Sequence, residues 1–153
     1  MDAFAASVEA WGIAEFLRRS IWAYPLVNWL HVIAIGVLVT SASLMDLRVL
    51  GFGKAVPTET VIGLLRPVAA TALVLAATAG FLLFSVRATE YIVNPIYLAK
   101  MAVLAVAVAN ALAFTSFRAH RNEAAPLTRW MAVASILLWL SVALLGRLIA
   151  FFD

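Results

Sequence analysis

Three side chains that could bind a charged or metal-containing ligand lie at similar distances from the ends of long apolar segments. His31 lies six residues after Pro25, Lys100 five residues after Pro95, and Arg147 six residues before the C-terminus. At a rise of about 1.5 Å per residue, His31 and Lys100 should each lie roughly 8–9 Å inside a helix. Imidazole bonds to metals, and Lys and Arg pair with carboxylates. The spacing predicts a pocket for a ligand with a metal centre and anionic groups.

The segments that carry these residues are apolar enough to cross a membrane. Hydrophobic residues make up 65% of the 153-residue chain and charged residues 12%, whereas soluble domains have about 45–50% and 25%. We predict an all-α integral membrane protein, a single domain over residues 1–153 that forms an up-down four-helix bundle. The predicted spans are 25–49, 60–86, 95–117 and 127–151, each longer than the roughly 20 residues that a bilayer requires.

Residues 3–20 have a different pattern, in which apolar and charged residues alternate. The apolar positions recur every three to four residues, at Phe4, Val8, Trp11, Ala14 and Leu17. This spacing is typical of an amphipathic helix that lies in the membrane interface. The sequence therefore predicts a short N-terminal surface helix over residues 3–20.

Lysine and arginine are unevenly shared between the two ends of the predicted bundle. One end, formed by the first and third loops between spans, holds Arg48, Lys54, Arg66, Arg118, Arg121 and Arg129, and the other holds Arg18, Arg19 and Arg87. Cytoplasmic loops carry an excess of Lys and Arg. We therefore expect both termini on the non-cytoplasmic side, in the inner membrane of a bacterium.

Haem b is the ligand that fits the three side chains best. His31 would supply the axial bond to iron, and Lys100 and Arg147 would pair with the two propionates. The neighbouring side chains expected at this depth are Tyr24, Asn28, Asn94, Tyr97 and Met101. The sixth iron position would be open, or filled by Met101, Lys100 or a residue of a partner. His120, about 30 Å away along the third span, is too far to be a second ligand.

Ordinary structural interpretations exist for the same residues. Lys100 and Arg147 could extend to the membrane surface, and His31 could hydrogen-bond a neighbouring helix. Asp46 could form a structural ion pair with Arg48 or Arg66 at the opposite end, which we favour over a proton relay. The coincidence of depth across three helices favours the shared pocket over separate roles for the first three residues.

Three short motifs carry a resemblance to a known family. They are Asn28-Trp-Leu-His31-Val-Ile, Leu65-Arg-Pro67 leading to Thr78-Ala-Gly80-Phe-Leu-Leu, and Tyr97-Leu-Ala-Lys100-Met-Ala-Val-Leu. The pattern resembles the bacterial membrane-embedded protoporphyrinogen oxidase family, and copper-resistance D type membrane domains are similar. The resemblance covers roughly residues 26–117. It implies a helical membrane protein that binds haem b or a porphyrin, with His31 and Lys100 as the functional positions.

Two functions are compatible with these patterns. The first is a haem b-binding membrane protein with a redox or electron-transfer role linked to a quinone or a porphyrin, which makes it a candidate oxidoreductase. The second is a non-catalytic subunit that docks into a larger membrane complex or onto a second copy. Small residues that recur every four positions, such as Ala105, Ala109 and Ala113, would support that docking. Basic residues cluster at helix ends, so no nucleic-acid partner is expected.

Overall fold

The computed structural model describes residues 2–116, 125–149 and 151, and every regular element within them is an α-helix. Four of these helices are long and apolar enough to cross a membrane, which confirms the predicted all-α membrane bundle. The seven helices of the described residues are α1 (Asp2–Glu9), α2 (Gly12–Arg19), α3 (Ala23–Val49), α4 (Thr58–Val86), α5 (Ala88–Tyr91), α6 (Pro95–Ser116) and α7 (Pro126–Ile149). The predicted spans begin and end within two residues of α3, α4, α6 and α7.

The four long helices pack side by side in the order α4, α3, α7, α6. Helix α3 packs extensively against both α4 and α7, and α6 packs mainly against α7. The core between them is formed largely by small side chains, together with Leu38 and Trp139. Small residues are suited to this position because helices in lipid gain from close packing rather than from leaving water.

The end of the bundle where α3 begins and α4 ends is here called the N-terminal end. Helix α6 also begins there, where Asn94 precedes Pro95. The Oδ1 atom of Asn94 accepts hydrogen bonds from the backbone N–H groups of Ile96 (2.9 Å) and Tyr97 (3.1 Å). A capping Asn followed by Pro is a favourable helix start, because it satisfies amide donors that have no helical partner. At the opposite end, Gly51 adopts a positive φ of 103° just after α3, as expected for a glycine that terminates a helix.

The single N-terminal helix predicted over residues 3–20 is wrong, because the segment forms two helices. The chain is extended at Trp11 (φ −64°, ψ 139°), which separates α1 from α2. Val8 of α1 packs against Ala88 of α5, whereas Leu17 of α2 is buried where α2 meets α4. One straight helix could not direct both apolar faces onto the bundle. The short helix α5 was also missed, since its residues fall in the predicted loop after the second span.

Glu9 and Arg18 fasten the N-terminal segment to the bundle. Oε1 of Glu9 accepts hydrogen bonds from the backbone N–H and the hydroxyl of Thr89, both at 2.9 Å. Arg18 donates to the carbonyl of Val86 (3.1 Å) and to that of Glu9 (2.8 Å). The backbone hydrogen bond from Thr89 is the main reason why the pKa of Glu9 lies below its ordinary value. The ionised carboxylate is therefore the form that holds the segment in place.

Acid should loosen this attachment. Because the pKa of Glu9 is lowered in the folded protein, its contribution is complete above the ordinary value, near 4.5, and is lost as the pH falls through the folded value. Hydrogen exchange of the α1 amides, corrected for its intrinsic pH dependence, should accelerate below pH 4.5. Glu9→Gln should show that faster exchange already at pH 7.

The matched control for this experiment is Glu15→Gln. Glu15 lies in α2 and forms an exposed ion pair with Arg19 (2.6 Å), so its loss should leave α1 exchange unchanged. Equally faster exchange of the α1 amides in both variants would show that the negative charge of the segment, rather than the contact between Glu9 and Thr89, holds it in place.

Candidate functional site

His31 on α3 is held by a backbone carbonyl of α4. Its Nδ1 atom lies 2.8 Å from the carbonyl oxygen of Ala76. A carbonyl oxygen can only accept, so Nδ1 must carry the hydrogen. In a neutral imidazole this leaves the lone pair on Nε2. Histidines that bind metals are usually oriented in this way, with the other ring nitrogen donating to a carbonyl or carboxylate.

Gly80, one helical turn beyond Ala76, makes room for the imidazole ring. A Cβ atom at Gly80 would lie 2.8 Å from Cε1 of His31 and 3.4 Å from Nδ1. The first distance is shorter than real carbon contacts allow, so only glycine permits the present ring position. Residues 72, 76 and 80 form a stripe of small side chains on α4, which explains how α3 comes close enough for the hydrogen bond.

Lys100 on α6 completes the site from the other side of the bundle. The residue is half-buried, and its charge acts electrostatically on His31. A Cβ atom at Gly146 of α7 would lie 3.4 Å from Nζ and 3.5 Å from Cε of Lys100. Four helices thus meet at one level, where glycines of α4 and α7 flank the imidazole of α3 and the amine of α6.

Aromatic rings lie just beyond this level on its N-terminal side. Phe84 lies one turn beyond Gly80, and its ring stacks on Tyr97 with centroids 5.5 Å apart. Tyr97 also stacks on Tyr91 (5.2 Å), and Trp11 reaches the cluster through Phe81 (5.9 Å). Tyr97 was predicted to line the pocket, and it lies one turn before Lys100. The ring cluster therefore lies about one helical turn from Gly80 and from Lys100, toward the N-terminal end.

Most of the other predicted residues are exposed in the described structure. Arg147 is exposed, and its guanidinium carbon lies 4.8 Å from the centre of the Phe151 ring. Met101 is 42% exposed, and it lies about 100° around the helix from Lys100. Tyr24 and Asn28 are exposed on α3. His120 lies outside the described residues.

A second polar group lies at the opposite end of the bundle, around Asp46 of α3. Its side chain receives a hydrogen bond from Ser135 of α7, rather than from the arginines considered above. Its Oδ2 atom is buried and has no hydrogen-bond partner among the described residues. Arg48 instead directs Nε to the carbonyl of Val56 (2.7 Å). The sequence does not indicate that one oxygen of this carboxylate would lack a hydrogen-bond partner.

Metal binding by a protein-only ligand set has no support in the part of the chain that the structure describes. No group of three or more His, Asp or Glu side chains there could hold a metal ion, and the sequence contains no cysteine. A metal at His31 would have to bring most of its own ligands. Haem satisfies this condition, because the porphyrin supplies four of the bonds to iron.

The fold and the site define an integral membrane helical bundle with a histidine and a lysine at one level. The chain belongs to the family of unknown function DUF6644, whose model matches residues 20–152. No curated protein and no solved structure matches the chain. The family match begins after α1 and α2, so it covers all four long helices and both polar groups.

Alanine substitutions of two glycines should have opposite effects on stability. Gly80→Ala forces the His31 ring to move, and such overpacking typically costs about 1–3 kcal/mol in the free energy of unfolding. The control is Gly36→Ala on α3, where an added Cβ meets nothing within 4 Å and should stabilise the helix by up to about 1 kcal/mol. Unfolding by denaturing detergent measures both. A neutral Gly80→Ala variant would contradict the tight contact.

Proposed function

We propose that the chain binds haem b through His31 and that it has a redox role linked to a quinone or a porphyrin. The main support is the hydrogen bond from Nδ1 to the Ala76 carbonyl, which directs the free lone pair to Nε2. The resemblance to the protoporphyrinogen oxidase pattern points to the same residue. When bound, haem b supplies a carrier for one electron.

Lys100 is the residue that we assign to a propionate. It is half-buried and within electrostatic range of His31, and an amine in this setting can form charge-assisted hydrogen bonds to a carboxylate. Arg147 directly follows Gly146, which packs against Lys100, so a change of its rotamer would bring a second cation to the same region. The nearby aromatic rings would exclude water and strengthen these interactions.

The spectrum of the purified protein tests the proposal. Protein from haem-replete cells should show a Soret band and a b-type pyridine haemochrome, because no Cys is present for covalent attachment. His31→Ala should abolish the spectrum. Lys100→Ala should keep the band shape but weaken haem retention about ten- to hundred-fold, the effect of losing a charge-assisted hydrogen bond of about 1.5–3 kcal/mol. Lys100→Arg should restore much of the retention.

His120→Ala is the matched control, because it removes the other histidine of the chain. It should leave the spectrum unchanged. A spectrum that depends on His120 and not on His31 would refute the assigned ligand. Colourless protein that shows no Soret shift on addition of haem would refute haem binding itself.

A docking subunit is the second candidate, and the exposure of α6 favours it. In an apolar stretch of 18 residues of α6, only 6% is buried inside the bundle, whereas 28–33% is buried in the corresponding stretches of the other three long helices. Ala105 and Ala109 are exposed on this helix, so another transmembrane helix could approach it closely. Co-purification of a stoichiometric membrane partner with haem-free protein would favour this function.

We propose further that both termini lie outside the cytoplasm of a bacterial cell, from the excess of Lys and Arg at the opposite end. Alkaline phosphatase fused at either terminus should be active. Fusions within residues 52–58 or 120–125 should be inactive, whereas fluorescent-protein fusions there should fluoresce. A fluorescent C-terminal fusion would reverse the orientation but leave the His31 site intact.

A further inference from the structure

A cavity of about 200 Å³ lies beside Asp46, and all four long helices contribute to its wall. Its polar lining includes Asp46 of α3, Arg66 of α4, Asn110 of α6 and Ser135 of α7, and most of the remaining wall is apolar. An apolar cavity of about 150 Å³ is sufficient to hold a benzene ring. The space is therefore large enough for an aromatic head group.

The carboxylate of Asp46 lacks one partner. Asp46 lines the cavity and is only 8% exposed, and its Oδ2 atom has no hydrogen-bond partner among the described residues. A buried acceptor without a donor costs roughly 1–3 kcal/mol. Oδ2 is enclosed in the present rotamer, but the χ2 torsion of Asp is broad. A rotation about χ2 would turn a carboxylate oxygen toward the cavity, where a ligand hydroxyl would offset part of this cost.

The cavity opens sideways, between α4 and α6. Helices α4 and α6 pack little against each other, and the lining residues Ala70, Ala111 and Leu112 are exposed on the outer surface of the bundle. This surface would face hydrocarbon in a bilayer. Entry from there selects a lipid-soluble ligand, and the positive charge of Arg66 in the wall disfavours a lipophilic cation.

We propose that this cavity binds the ring of a lipid-soluble quinol, with one ring hydroxyl donating a hydrogen bond to the carboxylate of Asp46. The opposite ring oxygen would accept from Arg66, and the apolar tail would leave between α4 and α6. Buried Trp139 would pack against the ring. The inference rests on the quinone-linked role proposed above and identifies its substrate class and residues, but binding itself requires no haem.

Calorimetric titration of haem-free protein in nanodiscs with decylubiquinol, under anaerobic conditions, tests the proposal. The quinol should bind more tightly than decylubiquinone, which has no hydroxyl to donate. Asp46→Asn removes the charge and should weaken quinol binding about ten- to hundred-fold while abolishing the preference over the quinone. Ala70→Phe blocks the opening without altering Asp46, and it should weaken binding of both forms by at least tenfold.

Glu59→Gln is the matched control, because it changes an exposed carboxylate at the start of α4, at the same end of the bundle. It should bind the quinol like the wild type. Thermal unfolding of each variant verifies its fold, and Ala70→Phe keeps the test decisive if Asp46→Asn does not fold. Unchanged quinol binding in a folded variant of either kind overturns the proposal, as does displacement of the quinol by equimolar tetraphenylphosphonium.

The outcomes for haem and for quinol are separable. Quinol binding that depends on Asp46, in a protein that never takes up haem, would refute haem binding and retain this site. Haem bound through His31, in a protein that does not bind decylubiquinol, would refute the quinol site and retain haem binding.

Discussion

The hydrogen bond between His31 and the carbonyl of Ala76 determines how closely α3 and α4 can pack. A polar side chain in a bilayer must find its partner within the protein, because lipid tails offer none. A helix carbonyl already accepts from the amide four residues ahead, but it retains a second lone pair. For His31 to reach that lone pair, α3 must lie almost against the backbone of α4. Gly80 is the residue that permits this approach.

The depth of a side chain along its helix and its direction around the helix axis have different physical causes. This difference explains which parts of the site could be predicted. The rise per residue fixes how deep a side chain lies in its own helix, and His31 and Lys100 were placed together on that basis. Rotation about the helix axis depends on packing between helices. Gly146 and Arg147 are adjacent in sequence, yet Gly146 faces Lys100 and Arg147 faces outward. Hydropathy found the spans and could not make this distinction.

Packing between helices also decides the structure of the N-terminal segment and the partner of Asp46, and the sequence did not predict either. Apolar spacing predicted that residues 3–20 would be helical and amphipathic, but the break at Trp11 depends on the two surfaces that α1 and α2 cover. For Asp46, the sequence suggested Arg48 or Arg66 as a partner, because all three residues were expected at the same end of the first two spans. The structure pairs it with Ser135, which is 89 residues away in sequence. Long-range partners of this kind cannot be read from spacing alone.

The two polar groups occupy opposite ends of α3, fifteen residues apart, which corresponds to about 22 Å along the helix. They therefore cannot form one pocket, and their surroundings differ accordingly. Aromatic rings bridge α4 and α6 at the N-terminal end. Near Asp46, by contrast, residues of the same two helices form part of the wall of the cavity. For the haem proposed at His31, the nearby rings would exclude water and strengthen the fixed hydrogen bonds. For the quinol proposed at Asp46, the gap between the two helices would allow exchange with the bilayer. Helix α3 carries a residue of both polar groups, and its packing against α4 and α7 keeps the distance between His31 and Asp46 fixed.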